Sequence, residues 1–201
     1  VEYWKGSDID RFYISDKTDR LVRTNYSSFV AENERVILSK DFFATKPKLI
    51  WRQTASSLIA MVDDRGVWFG RSIIGGAIAD EYKNKINIYY ALAIFNSKYL
   101  DYLYRQKVME TGKIFPQVKL GYLRDMPFII APKEAQKSVS ELAKRMIDLN
   151  KELREIPEHS DKWEKVKSEI EKTDKKIDEE VYKLYGLTEG EIKIIKANTN
   201  I

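Results

Sequence analysis

The hydrophobic spacing changes character at Pro132, and that change decides what the chain can fold into. Beyond it Val139, Leu142, Met146, Leu149, Leu153 and Ile156 recur at intervals alternating between three and four residues, which puts them all on one seam of a helix. Pro157 ends that helix, because its ring clashes with the preceding turn. A second seam runs through Trp163, Val166, Ile170, Ile177, Val181 and Leu184, with Ser160 or Asp161 to cap its start and Gly186 to stop it. The short Pro157 to Asp161 connection folds the two helices back on each other as an antiparallel hairpin. Thr188 and Glu191 then have capping-box spacing for one last short helix.

Upstream of Pro132 the apolar runs are short and β-forming. Leu49 to Trp51, Leu58 to Val62 and Val67 to Phe69 predict three strands of a small antiparallel sheet, and Asp63-Asp64-Arg65-Gly66 between the last two is a turn signal. Ile73 to Lys85 reads as a loop leading into a strand at Ile86 to Ile88. Leu92, Phe95, Tyr99, Tyr102 and Leu103 return to helical spacing and predict one helix over Tyr89 to Val108. The expected class is therefore α+β. A mixed, mainly antiparallel domain over residues 1–131 is followed over 132–201 by the hairpin and short C-terminal helix, which would orient or dock it.

Composition narrows the chemistry. A hydrophobic fraction of 43% supports a packed core, and the absence of cysteine removes disulfides, zinc–thiolate sites and cysteine nucleophiles. No apolar run approaches the roughly 20 residues needed to cross a bilayer, so a soluble chain is expected. The start at Val1 leads straight into EYWKGSDIDRFYI, as expected of a piece of a longer polypeptide or of a chain whose initiator methionine has been removed. The net charge of +4 is uneven: residues 1–130 hold 20 Lys/Arg against 15 Asp/Glu, and 131–201 hold 15 against 16. A polyanion would therefore sit on the first two thirds. There, the strand ends carry Lys46, Lys48, Arg52, Gln53, Arg65 and Arg71, donors on rigid elements that suit phosphates and base edges.

Several stretches line up with one family. KPKLIWRQTASSLIAMVDDRG, YYALAIFNSKYLDYL, TGKIFPQVKLGYLRDMPF and DEEVYKLYGLTEGEI resemble the successive signatures of the TaqI-like C-terminal specificity domain. That domain is the target-recognition part of adenine-specific DNA methyltransferases and of fused type II (including type IIG) restriction-modification enzymes. It is similar to the halves of type I restriction specificity subunits. The resemblance implies a target-recognition fold on double-stranded DNA, with a methyltransferase and an endonuclease region in the same polypeptide or complex. S-adenosylmethionine would serve the methyltransferase, Mg2+ would serve any cleavage, and the setting would be a bacterial or archaeal cytoplasm. It also places the Arg52-Gln53 strand end and the Gly112 to Lys119 loop near DNA.

On this basis Arg52, Gln53, Arg71 and Gln117 are the base-reading candidates, because Arg and Gln can make paired hydrogen bonds to guanine and adenine edges. Lys46, Lys48, Lys113 and Lys119 are the phosphate candidates. The plainer alternatives are a solvated basic strand edge and, for Gln117, a cap on the turn after Pro116. Tyr89, Tyr90, Phe95, Tyr99, Tyr102 and Tyr104 have the spacing of a core stripe, which outweighs a base-stacking role. His159, the only histidine, lies in the inter-helix turn. Asp63 or Asp64 with Glu81-Tyr82-Lys83 loosely matches a magnesium-nuclease spacing, yet the two aspartates also fit the turn before Gly66. No catalytic methyltransferase motif and no glycine-rich cofactor loop appear, so the chain itself is expected to be non-catalytic. The competing reading is a protein-interaction module with an incidental basic surface, and a metal-dependent nuclease ranks below both.

Overall fold

The computed structural model describes residues 1–31, 39–108, 117–118 and 120–199. In chain order, β1 (Tyr3–Trp4), β2 (Ile9–Asp10) and β3 (Tyr13–Ile14) precede α1 (Lys40–Ala44), and β4 (Lys48–Arg52), β5 (Ala60–Asp63), β6 (Trp68–Phe69) and β7 (Ile73–Gly76) follow. Helices α2 (Ile88–Phe95), α3 (Lys98–Val108), α4 (Leu120–Arg124), α5 (Lys133–Glu155), α6 (Asp161–Leu184) and α7 (Glu189–Thr199) complete an α+β fold.

The central sheet has the order β5-β4-β7 and is antiparallel throughout, with Ile50 opposite Met61 on one side and Gly75 on the other. Both of its faces are covered. Because side chains alternate along a strand, Trp51, Ala60 and Val62 enter one core, while Ile50 and Met61 enter a second with Trp4, Ile9, Phe43, Phe69 and Ile73.

The third strand is not the expected one. The Asp63 carboxylate accepts the amides of Arg65, Gly66 and Val67, each at 2.9 Å, and Gly66 sits at φ +82°. The chain after β5 therefore curls away instead of running back along it, and Trp68–Phe69 pair in parallel with Tyr3–Trp4. Ile73–Gly76, read as loop, takes the place beside β4. Gly75 there lies under two rings: a Cβ would stand 3.0 Å from atoms of Phe42 and Phe69.

The helix expected over 89–108 is two helices, and the segment before it is a cap. Asn87, in the run read as a strand, accepts the Tyr89 amide through its side chain and starts α2. The break at Asn96-Ser97 has a specific cause. The Asn96 side chain accepts from Ala60 N (2.9 Å) and donates to Ala60 O (3.0 Å), completing the outer edge of β5 as a strand would. Ser97 Oγ accepts the Leu100 amide at 3.2 Å and opens α3.

The hairpin forms as its seams require. Ser160 Oγ accepts the Trp163 amide, Gly186 ends α6 at φ +64°, and Thr188 and Glu191 exchange capping-box bonds before α7. Its seams do not bury only each other. Leu92 and Ala93 of α2 join Val139, Ala143 and Met146 of α5 and Ile177 and Val181 of α6 in one core, so residues 1–131 and 132–201 share their interior.

Candidate nucleic-acid interface

Beyond Arg52, β4 keeps pairing for two more residues, and this extension assembles a polar rim. Gln53 N donates to Ser72 O at 3.0 Å, Val118 N donates to Gln53 O at 2.6 Å, and Thr54 bridges Gln117. Tyr104, buried on α3, donates its hydroxyl to Gln117 O at 3.1 Å. From behind, Gly6 N donates to Ser72 Oγ, and the backbones come so close that a Cβ on Gly6 would stand 2.7 Å from Ser72 O. Gln53, Arg71 and Gln117 thus meet at one end of the sheet. Gln53 is half-buried and the other two are exposed. None of their side chains has a polar partner among the described residues.

The other sequence candidates fare differently. Arg52 points to the opposite face, where its Nε donates to Ile9 O at 2.6 Å and its guanidinium lies 3.6 Å from Asp10. Arg154 of α5 shares that aspartate at 3.0 Å, so Arg52 belongs to a structural tie. Lys48 corrects the expectation outright: it is fully buried, and its ammonium pairs with Asp63 and donates to Phe43 O and Thr45 O. No phosphate can reach it. Lys46 is exposed, at the end of β4 away from Gln53. Lys113 and Lys119 lie outside the described residues. The nuclease spacing loses Asp63, which is consumed by Lys48 and the turn, while Lys83 pairs with Asp80. Among the described residues no group of acids or histidine has the geometry to hold a metal ion.

Residues 1–128 match the TaqI-like C-terminal specificity domain. The chain belongs to that family. Among solved structures, the type IIL restriction-modification enzyme MmeI, determined in complex with DNA, is similar in fold over 70% of this chain, with a TM-score of 0.52 and 16% identity. The matched region is 18% of that enzyme's chain. No curated protein matches the sequence.

The match to the specificity domain stops just before the hairpin, and a buried charge network ties the two together. Arg11 pairs with Asp174 of α6 at 2.7 Å and donates to Asn96 O. Asp101 of α3 accepts from Leu58 N and from Arg105 Nε, and its burial raises its pKa above the usual carboxylate range. Asp178 of α6 accepts from Lys98 N at 2.9 Å, and burial pushes it up to about 6, helped by the nearby Asp174 charge. The sequence does carry a trace of this network. The α6 seam skips from Ile170 to Ile177, and Thr173 and Asp174 stand where an apolar residue belongs.

Proposed function

We propose that this specificity domain reads a defined sequence in double-stranded DNA as the target-recognition region of a restriction-modification enzyme, with Gln53, Arg71 and Gln117 presented to base edges. The observation that carries the reading is the pairing of Thr54 with Gln117. It brings two segments far apart in sequence onto one rim, where their donor side chains have no polar partner among the described residues. Arg can bond two guanine acceptors in the major groove, and Gln can bond the adenine N6/N7 pair. Such planar groups discriminate only if their backbones are held, and here the sheet, the Gly6 contact and the Tyr104 hydroxyl hold them. Arg52 braces the rim from beneath. Lys113 and Lys119, neighbours of Gln117 in sequence, supply phosphate charge.

Adenine methylation with S-adenosylmethionine, and cleavage with Mg2+ where the parent cleaves, belong to methyltransferase and endonuclease regions of the same polypeptide or complex. Family membership supports this assignment. No helix among the described residues is long and apolar enough to cross a membrane. The test is selection from a randomised duplex library with the wild type and with Gln53→Ala, Arg71→Ala and Gln117→Ala. The wild type should enrich one sequence, and each variant should lose preference at particular positions of it. A folded wild type that enriches nothing would sink the reading.

A further inference from the structure

At the end of the sheet away from the rim, two grooves meet in a concentration of lysines. One, of about 870 Å³, lies between Lys46 and Tyr89 and is floored by Ile78 and Ile88. The other, of about 490 Å³, runs between the 83–87 segment and the start of α5. They share Lys83 and Lys144, and together they gather Lys46, Lys83, Lys85, Lys133, Lys137 and Lys144. Only two carboxylates line them, Asp80 and Glu141, and Asp80 is already paired with Lys83. Lys85 and Lys144 lie over the rings of Tyr82 and Tyr89 at 5.4 and 4.8 Å, which steers their charge without neutralising it. Lys46, Lys133 and Lys137 have no carboxylate partner among the described residues.

One more feature of this groove bears on an anion. The first turn of α5 follows Pro132 with no side-chain cap, and it sets Lys133 and a single carboxylate, Glu134, at the positive end of the helix dipole.

We infer that this groove holds the phosphate backbone of duplex DNA flanking the target, a contact that adds affinity without reading sequence. The inference rests on the proposed function and extends it to a second surface. Like charges crowded together destabilise one another, and a polyanion relieves that repulsion. The distance fits one duplex. Lys46 precedes Gln53 by seven residues of mostly extended chain, about 20 Å at the rise of a strand, or roughly six base-pair steps. The groove offers lysines, point charges that accept phosphates in several positions, whereas the rim carries planar Arg and Gln groups. The hairpin, expected from sequence only to orient or dock, thereby contributes three of the lysines through α5.

The experiment measures duplex binding by the whole chain across a salt series, for the wild type, Lys133→Ala/Lys137→Ala, and a control, Lys175→Ala/Lys176→Ala. The control removes two exposed charges of α6 that line neither groove. Each phosphate contact adds about 0.9 to the slope of log affinity against log salt. The groove variant should lower that slope by about two, so that between 50 and 200 mM salt it loses roughly tenfold less affinity than the wild type. Its preferred sequence should be unchanged, and trimming the flanks of the duplex should erase its difference from the wild type. The control should leave the slope near its original value. A groove variant with wild-type slope in a chain that still selects a sequence overturns the groove alone, as does an equal loss of slope in the control. A wild type that binds no duplex overturns both the groove and the target reading.

Discussion

The rim at the end of β4 and the junction between α3 and α6 both gather polar side chains and treat them in opposite ways. At the junction Arg11, Lys98, Arg105, Asp101, Asp174 and Asp178 are half-buried or buried, and all are paired. At the rim the backbone is bonded from three sides, while the side chains of Gln53, Arg71 and Gln117 have no polar partner among the described residues. A buried charge without a partner is costly, so the junction spends its polar groups on the fold. An exposed donor costs little, and a fixed backbone makes it selective. Charged residues are common throughout this chain. What separates a structural one from a candidate reader is whether its hydrogen bonds are already made.

The hardest break falls on the structural side. Lys48 and Asp63 pair with no exposure, and Asp63 also closes the turn after β5. Asp63→Ala leaves a buried ammonium and three orphaned amides, and should cost about 3 to 5 kcal/mol. Equilibrium denaturation should show this as a lower midpoint. A loss below 1 kcal/mol would mean that the ammonium finds water and that Lys48 is available after all.

Next in size is Asp178. In the folded chain its pKa is raised from 3.8 to about 6, first by burial and then by Asp174, against the pull of the Lys98 amide, Lys98 and Arg11. Between those two values the folded state holds a proton that the unfolded state has released. Stability therefore falls as pH rises through that window, by about 3 kcal/mol in all, and stays lower above it. Asp178→Asn removes this slope. The variant and wild type should be closest in stability below pH 4 and differ most above pH 6, with the variant the more stable. Parallel stability curves across that range would count against the buried position of this carboxylate.

The hairpin was legible because long helices repeat their signal: two seams, Ser160, Gly186 and the Thr188–Glu191 pair each point to the same boundaries. The sheet was legible only in part. Ile73–Gly76 contains two glycines and looks like loop, and only the packing of Phe42 and Phe69 over Gly75 explains the missing side chain. The break at Asn96-Ser97 was hidden because Asn96 bonds to Ala60, far away in sequence. At the site, the donors Gln53, Arg71 and Gln117 could be picked out by type and by their place near strand ends and turns. That Arg52 and Lys48 are consumed internally depends on which strand face each occupies and on what packs there, and local spacing does not carry that information.

On the side of the rim, each of Gln53→Ala, Arg71→Ala and Gln117→Ala should cost about 1 to 3 kcal/mol of discrimination at the bases it reads. Stability should change by no more than about 0.5 kcal/mol, because these side chains make no hydrogen bonds among the described residues. Arg52→Ala should do the reverse: it loses the bond to Ile9 and lowers stability, with a weaker effect on base preference. Competition binding against single-base variants of the selected duplex, read beside a denaturation curve for each protein, separates the two behaviours. If Arg52→Ala alone erases preference at full stability, the two faces of β4 have been assigned the wrong way round.

The smallest expected effect lies where the two regions touch. Tyr104 is 5% exposed within the core of α3, yet its hydroxyl is what α3 offers to the Gln117 carbonyl. Tyr104→Phe keeps the ring and deletes that bond, which should lower stability by about 1 kcal/mol. Gln117 would still be tethered through the Thr54 bridge and the Val118–Gln53 bond, so its side chain gains freedom without leaving the rim. A reader that wanders discriminates less. Preference at the base read by Gln117 should therefore weaken by a fraction of what Gln117→Ala costs, while preference at positions read by Arg71 stays intact. Equal weakening at every position would mean that Tyr104 supports the fold generally, and no weakening at all would mean that the rim is held without help from α3.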